Sequence, residues 1–310
     1  MSDYSPPLQD YQFVLNHIAG MASIIELPGC EDISTDIVDA ILMESGRLCS
    51  EVLAPLNQVG DREGSVLENG VVRTPTGFKE AYAAYAEGGW TSMNGLPEWG
   101  GQALPWAITT AVGEMAASAN LAFSLCPMLS QAAIELLQDH GKAAQKNLYL
   151  PRLNSGEWAA TMNLTEPQAG SDLGRVRTRA VPEGDHYRIT GQKIFITFGE
   201  HDLTDNIIHL VLARTPDAPP GTRGISLFVV PKILINADET LGTRNDLRCI
   251  SLEEKLGIHA SPTAVMSYGD DQGAIGHLIG EENHGLEYMF TMMNNSRLGV
   301  GIQGVAIAER

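Results

Sequence analysis

The sequence has 310 residues, of which 44% are hydrophobic and 19% are charged, as in folded globular proteins long enough for more than one domain. Its 38 acidic and 20 basic residues give a formal net charge of −18, which argues against binding to nucleic acid or to an anionic membrane surface. A local basic cluster that binds an anionic small molecule stays compatible with this charge.

The cysteines and the N-terminal segment indicate the cellular compartment. The four cysteines are Cys30, Cys49, Cys126 and Cys249, and no two of them form a C-x-x-C pair. This spacing predicts buried thiols in a reducing compartment, not disulfides or a zinc site. The N-terminus lacks the basic segment of a signal peptide, and no apolar run reaches the about 18 residues that span a membrane. We therefore expect a cytoplasmic protein with no metal site, whose sequons at Asn163 and Asn294 match by chance.

Helical periodicity extends over residues 1–157, which we predict to form an N-terminal helical domain with an N-terminal extension. A helix is expected within residues 36–56, closing at Pro55. A longer Ala-rich helical stretch follows, and Pro127 is expected to divide it. One more short helix should end before Pro151.

Near residue 157 the pattern changes to short runs rich in β-branched and aromatic residues. The runs are WAATMNLT, RVRTRAV, HYRITGQKIFITF, NIIHLVLAR, ISLFVVPKIL and AVMSYG. Six strands without intervening helices predict an antiparallel barrel or sandwich over residues 158–280. Helical periodicity returns at residues 281–310, so the predicted fold class is α+β, ending in the start of a C-terminal helical bundle.

Three motifs that suggest chemistry are better explained as ordinary structure. Residues 299–304 match G-x-G-x-x-G, but a helical pattern precedes them, so close helix packing is favoured over dinucleotide binding. The spacing of His201, Asp202, Asp205 and His209 matches no metal site. Ser171 lacks the G-x-S-x-G context of a hydrolase nucleophile.

The segment TMNLTEPQAGSDLGRVRTRA, residues 161–180, combines an extended edge with a turn of small residues. Free backbone N–H groups at 169–171 would form a nest for an anion. The extended edges at 163–165 and 195–197 have backbone groups that can bond a flat heterocycle. A planar ring attached to a pyrophosphate fits these groups, and flavin adenine dinucleotide (FAD) is such a molecule.

Five blocks resemble the acyl-CoA dehydrogenase family in order and spacing, over nearly the whole chain. The blocks are LTEPQAGSDLG, GQKIFITFGEHD, GISLFVVPK, EEKLGIHASPT and GEENHGLEYMFTMMNNSRLGVGIQG. Other segments, including DYQFVLNHIAG and PTGFKEAY, are similar to the subgroup typified by 3-methylmercaptopropionyl-CoA dehydrogenase. The resemblance implies FAD, an acyl-CoA substrate that is oxidised to the 2-enoyl-CoA, electron-transferring flavoprotein as acceptor, and a homodimer or homotetramer.

The resemblance also implies cofactor-binding residues. They are Met162, Asn163, Leu164, Thr165, Gly170, Ser171, Phe195, Ile196 and Thr197. In the family pattern Thr165 bonds the flavin ring and Thr197 bonds near its N5 atom. Ser171 lies where the pyrophosphate and the CoA moiety approach, and Asn294 and Arg297 face CoA.

No catalytic residue is assigned within the chain, because the family's catalytic glutamate is expected beyond Arg310. Glu166 and Glu287 do not replace it, since one belongs to the turn and the other to a helix flank. Two alternatives stay open: a non-catalytic flavin or CoA-ester binding fragment, and an acyl-CoA oxidase. The acyl group is open between a small thioether-bearing chain and a straight fatty acyl chain.

Three arginines, Arg175, Arg177 and Arg179, share one face if their run is a strand. That face is either solvated or in contact with CoA phosphates, and we favour the solvated face. A further departure from the common family pattern is the insertion EHDLTDN, residues 200–206, expected to lengthen a loop close to the flavin.

Overall fold

The computed structural model describes residues 4–310, so the first three residues of the predicted N-terminal domain lie outside the described residues. These residues form nine α-helices and twelve strands. The helices are α1 Leu8–Phe13, α2 Met21–Ile24, α3 Thr35–Leu48, α4 Ala54–Glu63, α5 Phe78–Glu87, α6 Trp106–Ala119, α7 Leu121–His140, α8 Ala143–Asn154 and α9 Gly285–Glu309. The strands are β1 Val66–Glu68, β2 Val71–Arg73, β3 Trp158–Asn163, β4 Arg179–Glu183, β5 His186–Thr197, β6 Asn206–Ala213, β7 Ser226–Pro231, β8 Ile233–Ile235, β9 Leu241–Arg244, β10 Leu247–Leu252, β11 Thr263–Tyr268 and β12 Ala274–Ile279.

The prolines that were expected to break helices lie within or at the start of helices, which corrects three predicted boundaries. Pro55 lies at the start of α4, which continues α3 through the π-helical turn Cys49–Leu53, so the helix does not close there. The Ala-rich stretch breaks at Asn120, whose side chain accepts a hydrogen bond from Phe123 N, and α7 continues through Pro127. Helix α8 likewise continues past Pro151 to Asn154.

A β-hairpin interrupts the region predicted to be wholly helical. Strands β1 and β2 pair through the turn Asn69–Gly70, where both residues have positive φ. Asn-Gly is the sequence favoured in such two-residue turns, because both residues tolerate the left-handed conformation. The signal was present in the sequence and was missed.

The strands between residues 158 and 280 form one eight-stranded curled sheet and a separate β8–β9 pair, not six strands. The order is β10-β11-β5-β12-β7-β6-β3, and β4 also pairs with β5. The pairs are antiparallel except for β3 and β6, which run parallel. The predicted strand RVRTRAV begins only at Arg179, because Leu173–Arg175 is a 3₁₀ turn.

The core of the helical region surrounds Phe123 of α7, which contacts the rings of Phe78, Tyr82 and Tyr85. Burial of each such ring stabilises the fold by roughly 1.5–3 kcal/mol. A second cluster joins α7 and α8 to the sheet, and Ser130 Oγ accepts a bond from Ala160 N at 3.0 Å. Helix α7 therefore packs the helical region against β3.

Within residues 4–310, α7 is the one helix that is long and apolar enough to cross a membrane by length and composition. Two thirds of its apolar window, 67%, is buried inside the fold. A buried core helix passes the same test, so this feature is weak evidence for a membrane span.

Helix α9 packs against α6 and α7 with one face. Ser118 Oγ donates to Ala306 O at 3.0 Å, and Asn295 donates to Glu135 at 2.6 Å. Its opposite face is apolar and exposed, at Phe290, Val300, Val305 and Ile307.

Candidate cofactor and substrate site

Two backbone edges that are distant in sequence lie side by side at the ends of β3 and β5. Thr161 Oγ1 donates to Thr197 O at 2.7 Å, and Ile194 N donates to Thr165 O at 2.9 Å. We call residues 162–171 and 195–197 the paired edges. The structure thus brings together the two segments that the sequence pattern assigned to one site.

The turn that follows β3 is a tight hairpin around Pro167 and Gln168. Glu166 N donates to Ala169 O at 3.0 Å, and Ala169 N donates to Glu166 O at 2.9 Å. The expectation of a free N–H group at Ala169 is therefore wrong, because the hairpin uses it. Gly170 follows on the surface, and a Cβ at this position would have only Thr165 Cγ2 within 4 Å, at 3.9 Å.

The predicted cofactor residues divide into outward and inward side chains. Met162, Thr165 and Thr197 are half-buried, whereas Gly170, Ser171 and Phe195 are exposed. Asn163, Leu164 and Ile196 are buried, and so only their backbone groups can reach a ligand.

Phe195 is held outward by a bulge in β5. Residues 194 and 195 together oppose the single residue Val265 of β11, because Lys193 pairs with Met266 and Ile196 pairs with Ala264. Phe195 has φ +60° and is 58% exposed. A non-glycine residue in this conformation costs on the order of 1–3 kcal/mol, and such residues cluster at functional sites.

Glu166 ties the turn to its surroundings through a fully enclosed carboxylate. It accepts hydrogen bonds from Thr178 N, Thr178 Oγ1, Arg177 N and Gln168 Nε2, at 3.0, 2.6, 2.7 and 2.5 Å. It also pairs with Lys193 Nζ at 2.9 Å, and the same ammonium donates to Leu164 O at 2.9 Å. Neither side chain of this pair is more than 3% exposed.

Burial and the mutual attraction of Glu166 and Lys193 shift the pKa of both groups. Burial alone would raise the pKa of Glu166, but the Lys193 ammonium and the hydrogen bonds from Thr178 and Arg177 lower it to about 2. Burial lowers the pKa of Lys193 to about 8, although Glu166 opposes the change. Glu166 is thus a carboxylate at neutral pH, and all its lone pairs face donors of the fold.

The side chain of Asn163 joins the end of β3 to buried residues of β6 and β11. Its Oδ1 accepts a hydrogen bond from the Tyr268 hydroxyl at 2.7 Å, and that hydroxyl lies 3.0 Å from His209 Nδ1. All three side chains are buried. Burial, followed by the nearby cations Lys232 and Arg244, lowers the pKa of His209 to about 3. The imidazole is therefore neutral in the folded protein.

The inserted segment 200–206 is part of the interior, not a free loop. Glu200 is fully buried between Lys232 and Arg244, and Arg244 Nη2 lies 2.6 Å from Glu200 Oε2. Asp202 accepts hydrogen bonds from Thr74 N and Oγ1, which joins the segment to the β1–β2 hairpin. Over residues 4–310, no group of three or more His, Cys, Asp or Glu side chains is placed to hold a metal ion.

The arginines and the predicted CoA contacts are exposed. Arg175, Arg177 and Arg179 all face solvent, but only Arg179 lies on a strand, so the prediction of a shared strand face is wrong. The three arginines alternate along the chain with Val176 and Thr178, which are buried. On α9, Arg297 donates to Asn294 Oδ1 at 2.9 Å and lies over the Phe290 ring.

A pocket lies between α6, α7 and α9. We call it the helical pocket, and its lining includes Trp106, Thr109, Gly113, Met128, Gln131, Asn295, Leu298, Gly299, Ile302 and Gln303. Met128 packs against the same core cluster as Met162 of the paired edges. A Cβ at Gly113 would meet no atom within 4 Å, so this glycine leaves open space in α6.

Sequence reasoning missed the residues that hold the edges together, namely Thr161, Lys193 and Thr178. The signal was a lysine inside the apolar strand GQKIFITF, because a buried lysine requires an acidic partner. The partner stood in the turn, as Glu166.

Sequence models of two domains match the chain. The acyl-CoA dehydrogenase N-terminal domain matches residues 41–157, and the acyl-CoA dehydrogenase middle domain matches residues 161–270.

Curated relatives extend this similarity over the whole chain. A 3-methylmercaptopropionyl-CoA dehydrogenase from Ruegeria pomeroyi is 53% identical over 308 residues, which are 99% of this chain and 52% of the relative. A butyryl-CoA dehydrogenase from Syntrophomonas wolfei is 37% identical over 311 residues, which are 96% of this chain and 51% of the relative. The chain therefore spans about half the length of the curated relatives it matches.

Solved structures share the fold. Butyryl-CoA dehydrogenase from Megasphaera elsdenii aligns with a TM-score of 0.72 at 24% identity, covering 89% of this chain and 67% of that chain. An acyl-CoA dehydrogenase from Bacillus anthracis, solved as a complex with FAD, aligns with a TM-score of 0.70 at 23% identity, covering 89% and 43%. The α+β fold class, with a helical region, a curled sheet and the start of a C-terminal helix, is confirmed.

Proposed function

The chain belongs to the acyl-CoA dehydrogenase family, and we propose from this premise that it carries the cofactor-binding part of an FAD-dependent enzyme. The enzyme would oxidise an acyl-CoA thioester to the 2-enoyl-CoA. The observation that carries the proposal is the junction of the paired edges, which Thr161, Thr165 and Lys193 tie together.

The residues present fit FAD. The edges present backbone groups, the outward hydroxyls of Thr165 and Thr197 lie at their ends, and Gly170 leaves room for a close approach. We assign ring contacts to 162–165 and 195–197, and pyrophosphate contacts to Gly170 and Ser171. When bound, FAD supplies the acceptor for the hydride that leaves the β-carbon of the thioester.

The base that removes the α-proton is assigned to no residue of this chain. The α-proton of a thioester is weakly acidic, so a base must be close to it in a site that excludes water. Glu166 is enclosed by its donors, and Glu287 is exposed and paired with His284. We therefore propose that the catalytic glutamate lies beyond Arg310, as the family resemblance implies.

The helical pocket is our candidate for the acyl group. It combines apolar walls with the side-chain amides of Gln131 and Asn295, and its Met128 packs against the same core cluster as Met162. The name of the 53% identical relative favours 3-methylmercaptopropionyl-CoA, and the names of other relatives favour butyryl-CoA. Ser171, Asn294 and Arg297 are the proposed contacts of the CoA moiety.

Partners and compartment follow from the same family membership. We propose electron-transferring flavoprotein as the electron acceptor and a homodimer or homotetramer as the assembly. Within residues 4–310 the four cysteines are buried and form no disulfide, which supports a reducing compartment such as the cytoplasm. We propose the domain division 1–157, 158–280 and 281–310.

The flavin spectrum of the protein that carries this chain tests the proposal. We expect a yellow protein whose flavin absorbance is bleached anaerobically by a saturated acyl-CoA, with the extent of bleaching ranking the acyl groups. A protein that stays colourless with added FAD would contradict the proposal. Peroxide released at the rate of turnover would favour an oxidase, and flavin binding without bleaching would favour a binding fragment.

A further inference from the structure

Lys193 places a buried positive charge on the peptide unit that joins Leu164 to Thr165. Its Nζ donates to Leu164 O at 2.9 Å, and its side chain is fully buried. The N–H of the same peptide unit belongs to Thr165, whose own carbonyl accepts from Ile194 N. The charge therefore acts on a backbone group of the paired edges.

A cation at a peptide oxygen changes the donor at the other end of that peptide. The carbonyl and the N–H share one delocalised system, so electron density drawn towards the oxygen leaves the nitrogen poorer. Hydrogen bonds arranged in a chain polarise one another in this way, and a low local dielectric increases the effect. The Thr165 N–H becomes a stronger donor than a peptide in the same place without Lys193.

Stability alone does not account for a lysine here. The Glu166 carboxylate already accepts from Thr178 N, Thr178 Oγ1, Arg177 N and Gln168 Nε2. These four neutral donors satisfy its hydrogen-bonding capacity, although they do not neutralise its charge. A buried ion pair is often no more stabilising than well-packed apolar side chains of similar volume.

We propose that Lys193 is a positioning residue for the cofactor, which polarises the Leu164–Thr165 peptide so that it binds a reduced, electron-rich flavin ring more tightly than the oxidised ring. The proposal rests on the proposed function, because it assumes that the paired edges face FAD. Preorganised dipoles favour the state in which negative charge has developed, so a strengthened Thr165 N–H donor at the ring would favour its reduced form.

The test compares two ways of loosening the same edges in the protein that carries this chain. The double variant Glu166→Gln/Lys193→Met removes both charges of the pair, so that no buried carboxylate is left without its cation. The control Thr161→Val removes the neutral bond to Thr197 O and leaves the charge in place. Flavin fluorescence gives the Kd for oxidised FAD, and anaerobic titration against redox dyes gives the midpoint potential of the bound flavin.

We expect Thr161→Val to weaken binding of oxidised and reduced FAD by equal factors, which leaves the midpoint potential unchanged. The double variant should weaken binding of reduced FAD about ten-fold more than binding of oxidised FAD. For a two-electron couple this ratio lowers the midpoint potential by about 30 mV. An unchanged potential in the double variant overturns the proposal.

A second double variant separates the effect of the lost charge from a folding defect. Glu166→Gln/Lys193→Gln keeps a neutral donor near Leu164 O and should also lower the potential, because the charge is gone. If neither double variant folds, as judged by thermal unfolding, Lys193 serves stability and the proposal is overturned. If the wild-type protein binds no FAD, the proposed function fails together with this inference, whereas an unchanged potential leaves the proposed function intact.

Discussion

The paired edges are held from inside the sheet, whereas the helical pocket is bounded by a helix that packs on one side only. Beside the edges, Glu166, Lys193 and Thr161 are buried and bonded. Along the pocket, α9 contributes Gly299 and other residues to the lining and exposes an apolar face at Val300 and its neighbours. The proposed cofactor half of the site is thus preorganised by buried polar bonds, and the proposed acyl half depends mainly on helix packing.

The largest expected effect comes from breaking the buried pair behind the edges. Lys193→Met alone leaves the Glu166 charge without its cation, and the free energy of unfolding should fall by about 3–5 kcal/mol. Urea unfolding measures the change. The matched control Arg47→Met removes the exposed Arg47–Glu44 pair and should leave the free energy of unfolding close to the wild-type value, because solvent screens such pairs. Equal losses for the two variants would contradict the contrast between a buried and an exposed pair.

The next largest effect is expected from acid, which should weaken the buried contact of Asn163 in β3 with Tyr268 and His209. Burial and neighbouring cations keep folded His209 neutral down to a pKa of about 3, whereas the unfolded residue takes up a proton near pH 6.5. The unfolded state therefore binds more protons between these values, so stability is complete above about pH 6.5 and falls as pH falls. Burial also lowers the pKa of His201, which adds to the loss.

The pH dependence of urea unfolding between pH 7 and pH 4 checks this prediction. His209→Gln should reduce the acid-dependent slope by up to about 1.4 kcal/mol per pH unit, the value for one proton. An unchanged slope in His209→Gln would show that this residue does not set the acid limit.

Filling the helical pocket should change substrate choice more than stability. Gly113→Leu projects into the open space in α6, and we expect kcat/KM for long acyl chains to fall by about ten-fold or more relative to short ones. Leucine also has a better helix propensity than glycine, so unfolding should not become easier. Steady-state kinetics with an acyl-CoA series measures the ratio.

The control for this variant is Gly301→Leu on α9. A Cβ at Gly301 also meets no atom within 4 Å, but the residue is exposed and does not line the pocket. Its chain-length profile should match the wild type. A parallel shift in both variants would place the acyl group elsewhere.

The smallest effect is expected at the exposed arginines. Arg177→Ala should change the free energy of unfolding by no more than about 0.5 kcal/mol, as is usual for surface substitutions. Its affinity for CoA, measured by calorimetry, should equal that of the wild type if the side chain only meets solvent. A clear loss of CoA affinity would restore the alternative of a phosphate contact.

The order of helical and strand regions was predictable because apolar periodicity changes sharply near residue 157. Element ends were less predictable where tertiary bonds compete with local signals. Asn120 caps α7 and overrides the breaking tendency of Pro127, and the Asn69–Gly70 turn builds a hairpin within a helical region. The 3₁₀ turn at Leu173–Arg175 shortened the expected strand, since Asp172 caps it through Gly174 N.

The backbone edges of the site were predictable from motif spacing, because short motifs carry turns and strand ends. The bonds that hold the edges were not, since they join residues such as Glu166 and Lys193 that are distant in sequence. The outward direction of Phe195 depended on a bulge in β5, which no local pattern revealed. The assignment of 162–165 and 195–197 to the flavin ring stays a prediction.

Amide hydrogen exchange with and without FAD tests the central claim most directly. In the free protein, amides at the junction of the paired edges should already be protected, because Glu166 and Thr161 hold them in place. Added FAD should increase protection within 162–171 and 195–197 and leave the exposed face of α9 unchanged. Protection that appears elsewhere, or no change in the two segments under saturating FAD, would contradict the account.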